Sequence, residues 1–418
     1  MSPVFSPVSL LHVFLDFGNK PIAVGRLARL KREIVFEFLP EFLASGLDIS
    51  PLKFRAGEGH TIITGPPEPF EGLHGVFSDS LPDGWGRLLF DRKAKELGVE
   101  PARLTPLDRL AWVGASGMGA LSYQPGREFA KGAGDERIDL DELAAASRQI
   151  LEDVPEAIFE QLLMTGGSPQ GARPKALIGL SVDKSAAVYG TEQLPEGYQH
   201  WLVKFASSKD HPEDGLVEKV YANMASDAGI NVSETAILPS GDSPGYFATK
   251  RFDRDNGRRL HMHTAAGMLH ADFRVPSAGY DDILKLVGFV TRDHASVEQM
   301  FLRMVFNIVA HNRDDHIKNH AFLMNDLGHW SLSPAYDVTF SNGPGNEHTL
   351  DVAGEGRNPK VIHILKVADS VGVSSHFAKE ALESANDVIV RWPKYASELG
   401  VSSKEIQRIS KFHNLLLP

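Results

Sequence analysis

The sequence predicts an α+β fold in which strand-rich parts come first and a mostly helical part comes last. In the first 125 residues, short apolar runs are bounded by glycine and proline, which is the pattern of strands in a small sheet. The middle third alternates strand-like runs with turns, and helical spacing prevails from about residue 280. Because strands and helices are segregated along the chain, segregated layers are expected in the fold.

The first part is predicted to be a small sheet with one long helix. Strands are expected at 10–16, 22–27, 34–38 and 121–123. The helix is predicted from Trp85 to Leu97, with Asp83 as its N-cap and Gly98 just past its end. A polar stretch at 126–136 has the composition of a linker, so a domain boundary is expected between residues 126 and 138.

The middle and last parts continue with different periodicities. Apolar residues at helical spacing predict a helix within 139–163, and a second helix is predicted from Leu216 to Ala228, stopping at Gly229. Strands are expected at 175–182, 199–205, 235–238 and 246–252. The helical last third is interrupted by a loop region between His311 and Asn346.

Composition excludes several classes of protein. The 418 residues are 42% hydrophobic and 23% charged, as in globular proteins, and the net charge of −11 argues against nucleic-acid binding by this chain alone. The absence of cysteine excludes disulfides, thiolate zinc sites and a cysteine nucleophile. The apolar run from Val8 to Phe17 contains Asp16 and follows no basic residue, so it predicts a strand rather than a signal peptide. With no apolar run of about 18 residues, we expect no membrane contact and a cytoplasmic protein.

The densest group of chemically active residues is the segment 312–320, Asn-Arg-Asp-Asp-His-Ile-Lys-Asn-His. It lies between an apolar helix and a strand, and Asp337 follows after a second short strand. This pattern suits phosphoryl transfer, in which Asp314 would orient a hydroxyl while Asn319 and Asp337 supply oxygen ligands for Mg²⁺. One alternative is a solvated turn. Another is a zinc or iron site formed by His311, His316 and His320.

Phosphoryl transfer also requires a phosphate-binding loop and a lysine. The glycine-rich segment 165–175 runs directly into a predicted strand, although it is neither a Walker A motif nor a Rossmann fingerprint. Lys204 lies within an apolar strand, where it would either extend to solvent at an edge or face an anion in a cleft. Glu218, on the following helix, could pair with Lys204.

Other motifs are expected to be structural. The segment Gly114–Gly119 resembles a nucleotide loop but is expected to be a tight turn before a closing strand. His261 and His263 alternate along a strand and are expected at the surface. Residues 81–87, Leu-Pro-Asp-Gly-Trp-Gly-Arg, have the pattern of a turn, a cap and a helix start.

Taken together, the motifs resemble the HipA family of bacterial serine/threonine kinases, the toxins of type II toxin–antitoxin pairs. The resemblance covers most of the chain and rests on six ordered segments: 77–86, 119–121, 166–175, Lys204, 250–254, and the pair 312–319 with 336–338. It implies a protein-kinase-like two-lobed fold with a small β-rich N-terminal subdomain and a mostly α-helical C-terminal lobe. The implied divisions are an N-terminal subdomain at 1–130, an ATP-binding part at 139–255 and a catalytic lobe at 256–418.

The resemblance also implies a role for individual residues. Asp314 would be the catalytic aspartate, Asn319 and Asp337 would hold Mg²⁺, and Glu218 would be the partner of the ATP lysine. Ser168 falls at the family's autophosphorylation position, with Thr165 as the fallback acceptor. The residues implied in ATP binding are Ser168, Gly171, Lys175, Lys204, Lys250, Arg251, Phe252, His316, Lys318 and Asn319.

The implied activity is an Mg²⁺/ATP-dependent protein kinase that inhibits growth and inactivates itself by autophosphorylation. The implied substrate is an aminoacyl-tRNA synthetase, and the implied inhibitor is a HipB-like helix-turn-helix antitoxin through which the pair would contact operator DNA. Two alternatives stay open: a catalytically silent, kinase-like corepressor bound to an antitoxin, and a small-molecule kinase on the same fold.

Overall fold

The computed structural model describes residues 6–54, 62–126, 136–152, 159–166, 171–190, 193–255, 257–275 and 277–417. The chain divides into two compact units. The first unit comprises Met1–Pro212, Leu238–His263 and Leu323–Gly328, and the second comprises Glu213–Ile237, Thr264–Phe322 and His329–Pro418. Residues 1–130 and most of 139–255 therefore belong to one unit.

The first unit begins with an antiparallel sheet in the strand order β4-β3-β2-β1-β5. Its strands are β1 (Leu10–Leu15), β2 (Ile22–Leu30), β3 (Glu33–Phe38), β4 (Ile62–Thr64) and β5 (Leu121–Gln124). The accompanying helices are α1 (Pro40–Ser45), α2 (Gly75–Ser78), α3 (Gly84–Glu96) and α4 (Pro106–Val113). Phenylalanines from β3 and the neighbouring segments form the core: the ring of Phe36 lies 4.8 Å from those of Phe38 and Phe77 and 5.4 Å from that of Phe54.

A second antiparallel sheet in the same unit contains neighbouring strands in the order β7-β6-β8-β10. These strands are β6 (Lys175–Ser181), β7 (Ala187–Tyr189), β8 (Tyr198–Lys204) and β10 (Tyr246–Lys250). In the sequence, β9 (Thr235–Leu238) ends at Leu238, where the first unit resumes. Two helices, α5 (Leu140–Leu151) and α6 (Phe159–Gly166), precede the sheet. A two-stranded ribbon of β11 (Arg254–Asp255) and β12 (Arg258–Arg259) follows β10.

The second unit is mostly helical. Its helices are α7 (Asp214–Asp227), α8 (Ala265–Leu269), α9 (Tyr280–Thr291), α10 (His294–Val309), α11 (Val361–Ser370), α12 (Ser375–Val390), α13 (Trp392–Glu398) and α14 (Ser403–Ser410). Three short strands lie in the same stretch of sequence, β13 (His261–Thr264), β14 (Ala321–Met324) and β15 (Trp330–Leu332). Of these, β13 up to His263 and β14 from Leu323 belong to the first unit. The predicted class, with a β-rich N-terminal region and a helical C-terminal part, is confirmed.

The prediction that His261 and His263 lie at the surface is wrong, because both are fully buried. His261 Nε2 lies 2.9 Å from the Ile49 carbonyl oxygen. His263 lies between Ser50, whose Oγ is 3.0 Å from Nε2, and Asp79, whose Oδ2 is 2.6 Å from Nδ1. The sequence pattern of the strand does not indicate that these histidines are buried. Their burial is possible because both imidazoles have polar partners within the first 80 residues.

Within the described part of the chain, no helix is both long enough and apolar enough to cross a membrane.

Candidate active site

The polar segment 312–320 follows the C-terminal end of helix α10 and is hydrogen-bonded to it. The helix buries an apolar face that includes Met300, Phe301 and Met304, and it ends where His311 adopts a positive φ of 58°. Just beyond, the Asn312 amide donates to the Asn307 carbonyl at 2.9 Å. Asn312 Nδ2 also donates to Asn307 Oδ1 at 3.0 Å. These two bonds fold the chain back over the end of its own helix.

Asp315 holds this loop in place from a completely buried position. Its side chain is 0% exposed, and its carboxylate accepts hydrogen bonds from the Tyr280 hydroxyl at 2.7 Å and the Thr349 amide at 2.8 Å. His348 Nδ1 lies 2.8 Å from the same carboxylate. Burial by itself raises the pKa of Asp315, but the interactions with His348, Tyr280 and the Thr349 amide outweigh burial and hold the pKa below its ordinary value.

Asp314, one residue earlier, is exposed. Its backbone carbonyl accepts from Asn319 Nδ2 at 2.8 Å, so Asn319 Oδ1 is the atom of that amide left to face a cation. A short 3₁₀ turn from Ile317 to Asn319 closes the loop, with the Asn319 amide donating to the His316 carbonyl at 2.8 Å. Asp314 is therefore exposed to solvent on a loop whose backbone is held by hydrogen bonds within the loop itself.

Asp337 lies on a second loop that is bonded on several sides. Arg303, on α10, is buried and donates from Nη2 to the Ser333 carbonyl at 2.5 Å. The Ala335 amide donates to the Asn231 carbonyl at 2.8 Å, and the Tyr336 hydroxyl donates to the Lys318 carbonyl at 2.8 Å. Asp337 itself has a positive φ of 54°, a backbone conformation that aspartate tolerates better than most residues.

Asn319 and Asp337 line one cleft within the second unit. Buried polar atoms at this cleft lack hydrogen-bond partners among the described residues: Arg303 Nε and Nη1, Asn312 Oδ1, and both ring nitrogens of His320. Burial lowers the pKa of Arg303 to about 10. A carboxylate and an amide oxygen are ligands that Mg²⁺ accepts, so the chemistry of these two side chains fits a magnesium ion.

The three histidines of this loop have different surroundings. His311 stacks on Phe340 with the ring centroids 5.6 Å apart, and its Nε2 lies 3.2 Å from Asn342 Oδ1. The ring of His316 lies 5.3 Å from that of Phe273, over which Lys318 Nζ also lies at 4.9 Å. Across the described residues, no group of three or more His, Asp or Glu side chains is arranged to hold a metal ion, so the zinc or iron alternative finds no support.

In the first unit, the two predicted phosphate lysines face each other across neighbouring strands. Lys175, the first residue of β6, is directly opposite Lys204, the last residue of β8. Lys175 is buried, and its Nζ lies close to Gly171, whose φ is +103°. Lys204 Nζ lies 5.6 Å from the centre of the Phe247 ring. Residues directly opposite each other on antiparallel strands have their side chains on the same face of the sheet, so both lysines project from one face.

The side chain of Arg251 belongs to a buried ion cluster around Asp253. Arg251 donates from Nε and Nη2 to the two carboxylate oxygens of Asp253 at 2.9 and 2.8 Å, and Arg254 donates to Asp253 at 2.7 Å. The Gly119 amide also donates to Asp253, at 2.7 Å. Burial raises the pKa of Asp253, but the two arginines outweigh it and hold the pKa far below its ordinary value. The segment Gly114–Gly119 is thus a structural turn that receives this cluster.

The remaining residues predicted for nucleotide binding or phosphorylation lie between Thr165 and Phe252 in the sequence. Ser168 lies outside the described residues. Thr165 is buried in α6, where its hydroxyl donates to the Gln161 carbonyl at 2.9 Å, so a kinase would reach it only after the last turn of α6 opened. Glu218 is buried in α7. Lys250 is the last residue of β10, which ends before Phe252 rather than at it.

The sequence motifs do not identify the residues that hold the loops of Asp314 and Asp337 in place. Asp315 stands in the sequence only as a member of a charged run, and its partners Tyr280 and His348 lie about 35 residues away on either side. Arg303 lies inside an apolar helical run. The one available signal is the presence of an arginine and an asparagine on the apolar face of α10, because polar residues there are buried only with partners.

Comparisons with known proteins agree on one family. The protein-family model described as the HipA-like C-terminal domain matches residues 167–392, and the family model described as the HipA N-terminal domain matches residues 16–124. A solved complex of the Shewanella oneidensis MR-1 toxin–antitoxin system HipA, HipB and its operator DNA contains a chain of similar fold. That match covers 97% of this chain and 96% of that one, with a TM-score of 0.67 and 18% identity.

Two curated relatives are similar over a shorter stretch. A putative kinase of Sinorhizobium fredii, Y4dM, is 29% identical over 153 residues, which are 33% of this chain and 36% of that protein. The toxin YjjJ of Escherichia coli is 26% identical over 153 residues, which are 35% of this chain and 34% of that protein. These alignments span about a third of the length of the relatives. Because the C-terminal model alone matches more than half of the 418 residues, the chain belongs to the HipA family.

Proposed function

We propose that this chain is an Mg²⁺/ATP-dependent protein serine/threonine kinase of the HipA toxin type. One observation carries the proposal: Asn319 and Asp337 line one cleft, while the exposed Asp314 lies on the loop to which Asn319 is bonded. An acid for the hydroxyl and two oxygen ligands for the metal are the parts that phosphoryl transfer requires. A silent corepressor would have no need of this arrangement.

The residues of the second unit would perform the chemistry. Asp314 orients the acceptor hydroxyl and accepts its proton, while Asn319 and Asp337 hold the metal ion. Magnesium, when bound, neutralises charge on the phosphates. The bonds to buried Asp315 and from Arg303 keep the two loops in position, which limits the reorganisation needed during the reaction.

The residues of the first unit would bind the nucleotide. Lys175 and Lys204 supply two positive charges for the phosphates, and the segment from Lys250 to Phe252 contacts the adenine. The Arg251 side chain contributes by holding that segment on the Asp253 cluster. The division into a subdomain at 1–130, an ATP-binding part at 139–255 and a catalytic lobe at 256–418 is part of this proposal, as is Glu218 as the partner of Lys204.

The proposed substrate is a translation factor such as an aminoacyl-tRNA synthetase, and the proposed inhibitor is a HipB-like antitoxin that mediates contact with operator DNA. The solved complex of the Shewanella system contains HipA, HipB and operator DNA, which supports the partners. The net charge of −11 agrees with DNA contact through a partner. We further propose autophosphorylation at Ser168, with Thr165 as the fallback, as self-inactivation in a cytoplasmic protein.

The test is the intact mass of phosphatase-treated protein after incubation with Mg-ATP. The wild type should gain one phosphate at Ser168 or Thr165, and Asp314→Ala should gain none. Asp326→Ala, which removes another exposed aspartate outside both loops, should behave as the wild type. Labelled ATP supplied with a purified synthetase and, separately, with a small-molecule panel then separates a protein kinase from a small-molecule kinase. No transfer to any acceptor would overturn the proposal and favour the corepressor.

A further inference from the structure

The turn that begins α3 contacts the chain just before β6. Three hydrogen bonds join them: the Trp85 amide donates to the Gly171 carbonyl at 3.0 Å, Trp85 Nε1 donates to the Lys175 carbonyl at 3.0 Å, and the Gly171 amide donates to the Asp83 carboxylate. Asp83 and Trp85 belong to the Leu-Pro-Asp-Gly-Trp-Gly-Arg motif at 81–87, which the proposed function leaves without a role. The N-terminal turn of α3 therefore bonds to both Gly171 and Lys175.

The contact is too close to be incidental. Gly84 has a φ of +41°, and a Cβ there would lie 2.5 Å from Ala172 Cα and 2.6 Å from the Gly171 carbonyl oxygen. Trp85 is 1% exposed, so its indole hydrogen bond is made away from water. Asp83 occupies the N-cap position of α3 but makes no side-chain capping bond. Its carboxylate serves Gly171 instead of its own helix.

The same helix also contacts the chain before the glycine-rich segment. Lys93, near the end of α3, forms an ion pair with Glu160 on α6. The Arg92 guanidinium lies 5.6 Å from the centre of the Phe159 ring, also on α6. Phe159 and Glu160 precede the glycine-rich segment 165–175, and Gly171 and Lys175 lie within it, so α3 contacts the chain both before and within that segment.

We propose that Asp83 and Trp85 are positioning residues for the phosphate-binding segment. They fix the backbone of Gly171 and Lys175 and so set where the Lys175 ammonium group lies relative to Lys204 on the next strand. This inference rests on the proposed function, because it takes Lys175 and Gly171 to be nucleotide-binding residues. It gives the segment 81–87 a defined task in nucleotide binding.

The test compares Trp85→Phe and Asp83→Ala with Trp392→Phe in the full chain. Trp392 is 0% exposed and its Nε1 donates to the Ile406 carbonyl at 3.2 Å in the second unit, so this control loses the same kind of bond elsewhere. Hydrogen exchange reports the backbone amides of 171–173 and 175 without nucleotide, and steady-state kinetics report KM for ATP and kcat. Asp83→Asn, which keeps an acceptor oxygen, is the conservative variant.

In Trp85→Phe and Asp83→Ala, amide exchange at 171–175 should accelerate about three- to tenfold, the range expected for the loss of one buried hydrogen bond. KM for ATP should rise by a similar factor while kcat changes less than about twofold, since the catalytic loop is untouched. Asp83→Asn should restore most of both losses, and Trp392→Phe should change neither.

Two results would overturn the inference: unchanged exchange at 171–175 in both variants, or accelerated exchange with an unaltered KM. A rise in KM for Trp392→Phe equal to that for Trp85→Phe would also overturn it, because the effect would then be general. If the wild type neither binds nor uses ATP, the proposed function fails by itself, and the exchange data still decide whether Asp83 and Trp85 hold this segment.

Discussion

Asp314 and Asp315 are adjacent in the sequence but have opposite environments. Asp314 is exposed, whereas Asp315 is buried and accepts hydrogen bonds from Tyr280 and the Thr349 amide. The pattern of the segment predicts a reactive role for Asp314 but assigns no role to Asp315. Burial separates the roles: a carboxylate that contacts a substrate hydroxyl must be accessible, and one that holds a loop must have its acceptors filled.

Substitution of each aspartate by asparagine should separate these roles. Asp315→Asn should lower the free energy of unfolding by about 2–4 kcal/mol, because a buried charged acceptor is lost and its partners are left poorly matched. Asp314→Asn should change it by less than about 0.5 kcal/mol, as for exposed positions, while abolishing phosphate transfer. Urea unfolding together with the mass assay checks both values, and equal losses of stability would contradict the assignment.

At the scale of elements, α3 and α4 illustrate two levels of predictability. The sequence predicts the helix 85–97 to within one residue at each end, because its N-terminal turn and Gly98 are local signals. Helix α4 is absent from that prediction, although Thr105 and Asp108 form a capping box whose pattern is visible in the sequence. That Asp83 bonds to Gly171, 88 residues later, is not a local property and has no signal in the motif.

The two glycines at the ends of α3 provide a matched pair. Gly98 has a φ of +74°, and a Cβ there would have no atom within 4 Å, so Gly98→Ala should lower the free energy of unfolding by about 1 kcal/mol through backbone strain alone. Gly84→Ala adds a collision with the Ala172 backbone and should cost about 1–3 kcal/mol more. Chemical denaturation of the two variants measures the difference, and equal costs would show that the contact with 171–172 is loose.

At the scale of the whole molecule, several histidines are buried or half-buried in the neutral form. Burial lowers the pKa of His261, His311 and His413 to about 4 and that of His200 and His320 to about 3. An unfolded histidine binds a proton near pH 6.5, so the unfolded chain takes up protons at a pH where the folded chain does not. The stability that these groups contribute is therefore complete above pH 6.5 and is lost as the pH falls toward 4.

The free energy of unfolding should consequently decrease steeply between pH 6.5 and pH 4. Each histidine that stays neutral in the fold adds up to about 1.4 kcal/mol per pH unit to the slope. Urea unfolding at about pH 7.5, 6.5, 5.5 and 4.5 measures the slope, which His261→Gln should reduce. The exposed His376 supplies the control His376→Gln, which should leave it unchanged. A flat profile would contradict the burial of these imidazoles as neutral groups.

The sequence by itself determined the class of the fold, helices α3 and α7, most of the strands, and the segments proposed to carry the chemistry. These depend on periodicity, on capping residues and on ordered motifs, which are local along the chain. The tertiary structure decided which polar residues are buried. It turned His261 and His263 inward, committed the Arg251 side chain to Asp253, and made Asp315 rather than Asp314 the support of the loop. Such choices depend on partners that are often tens to hundreds of residues away, because a buried polar group is stable only where the fold supplies the atoms that bond to it.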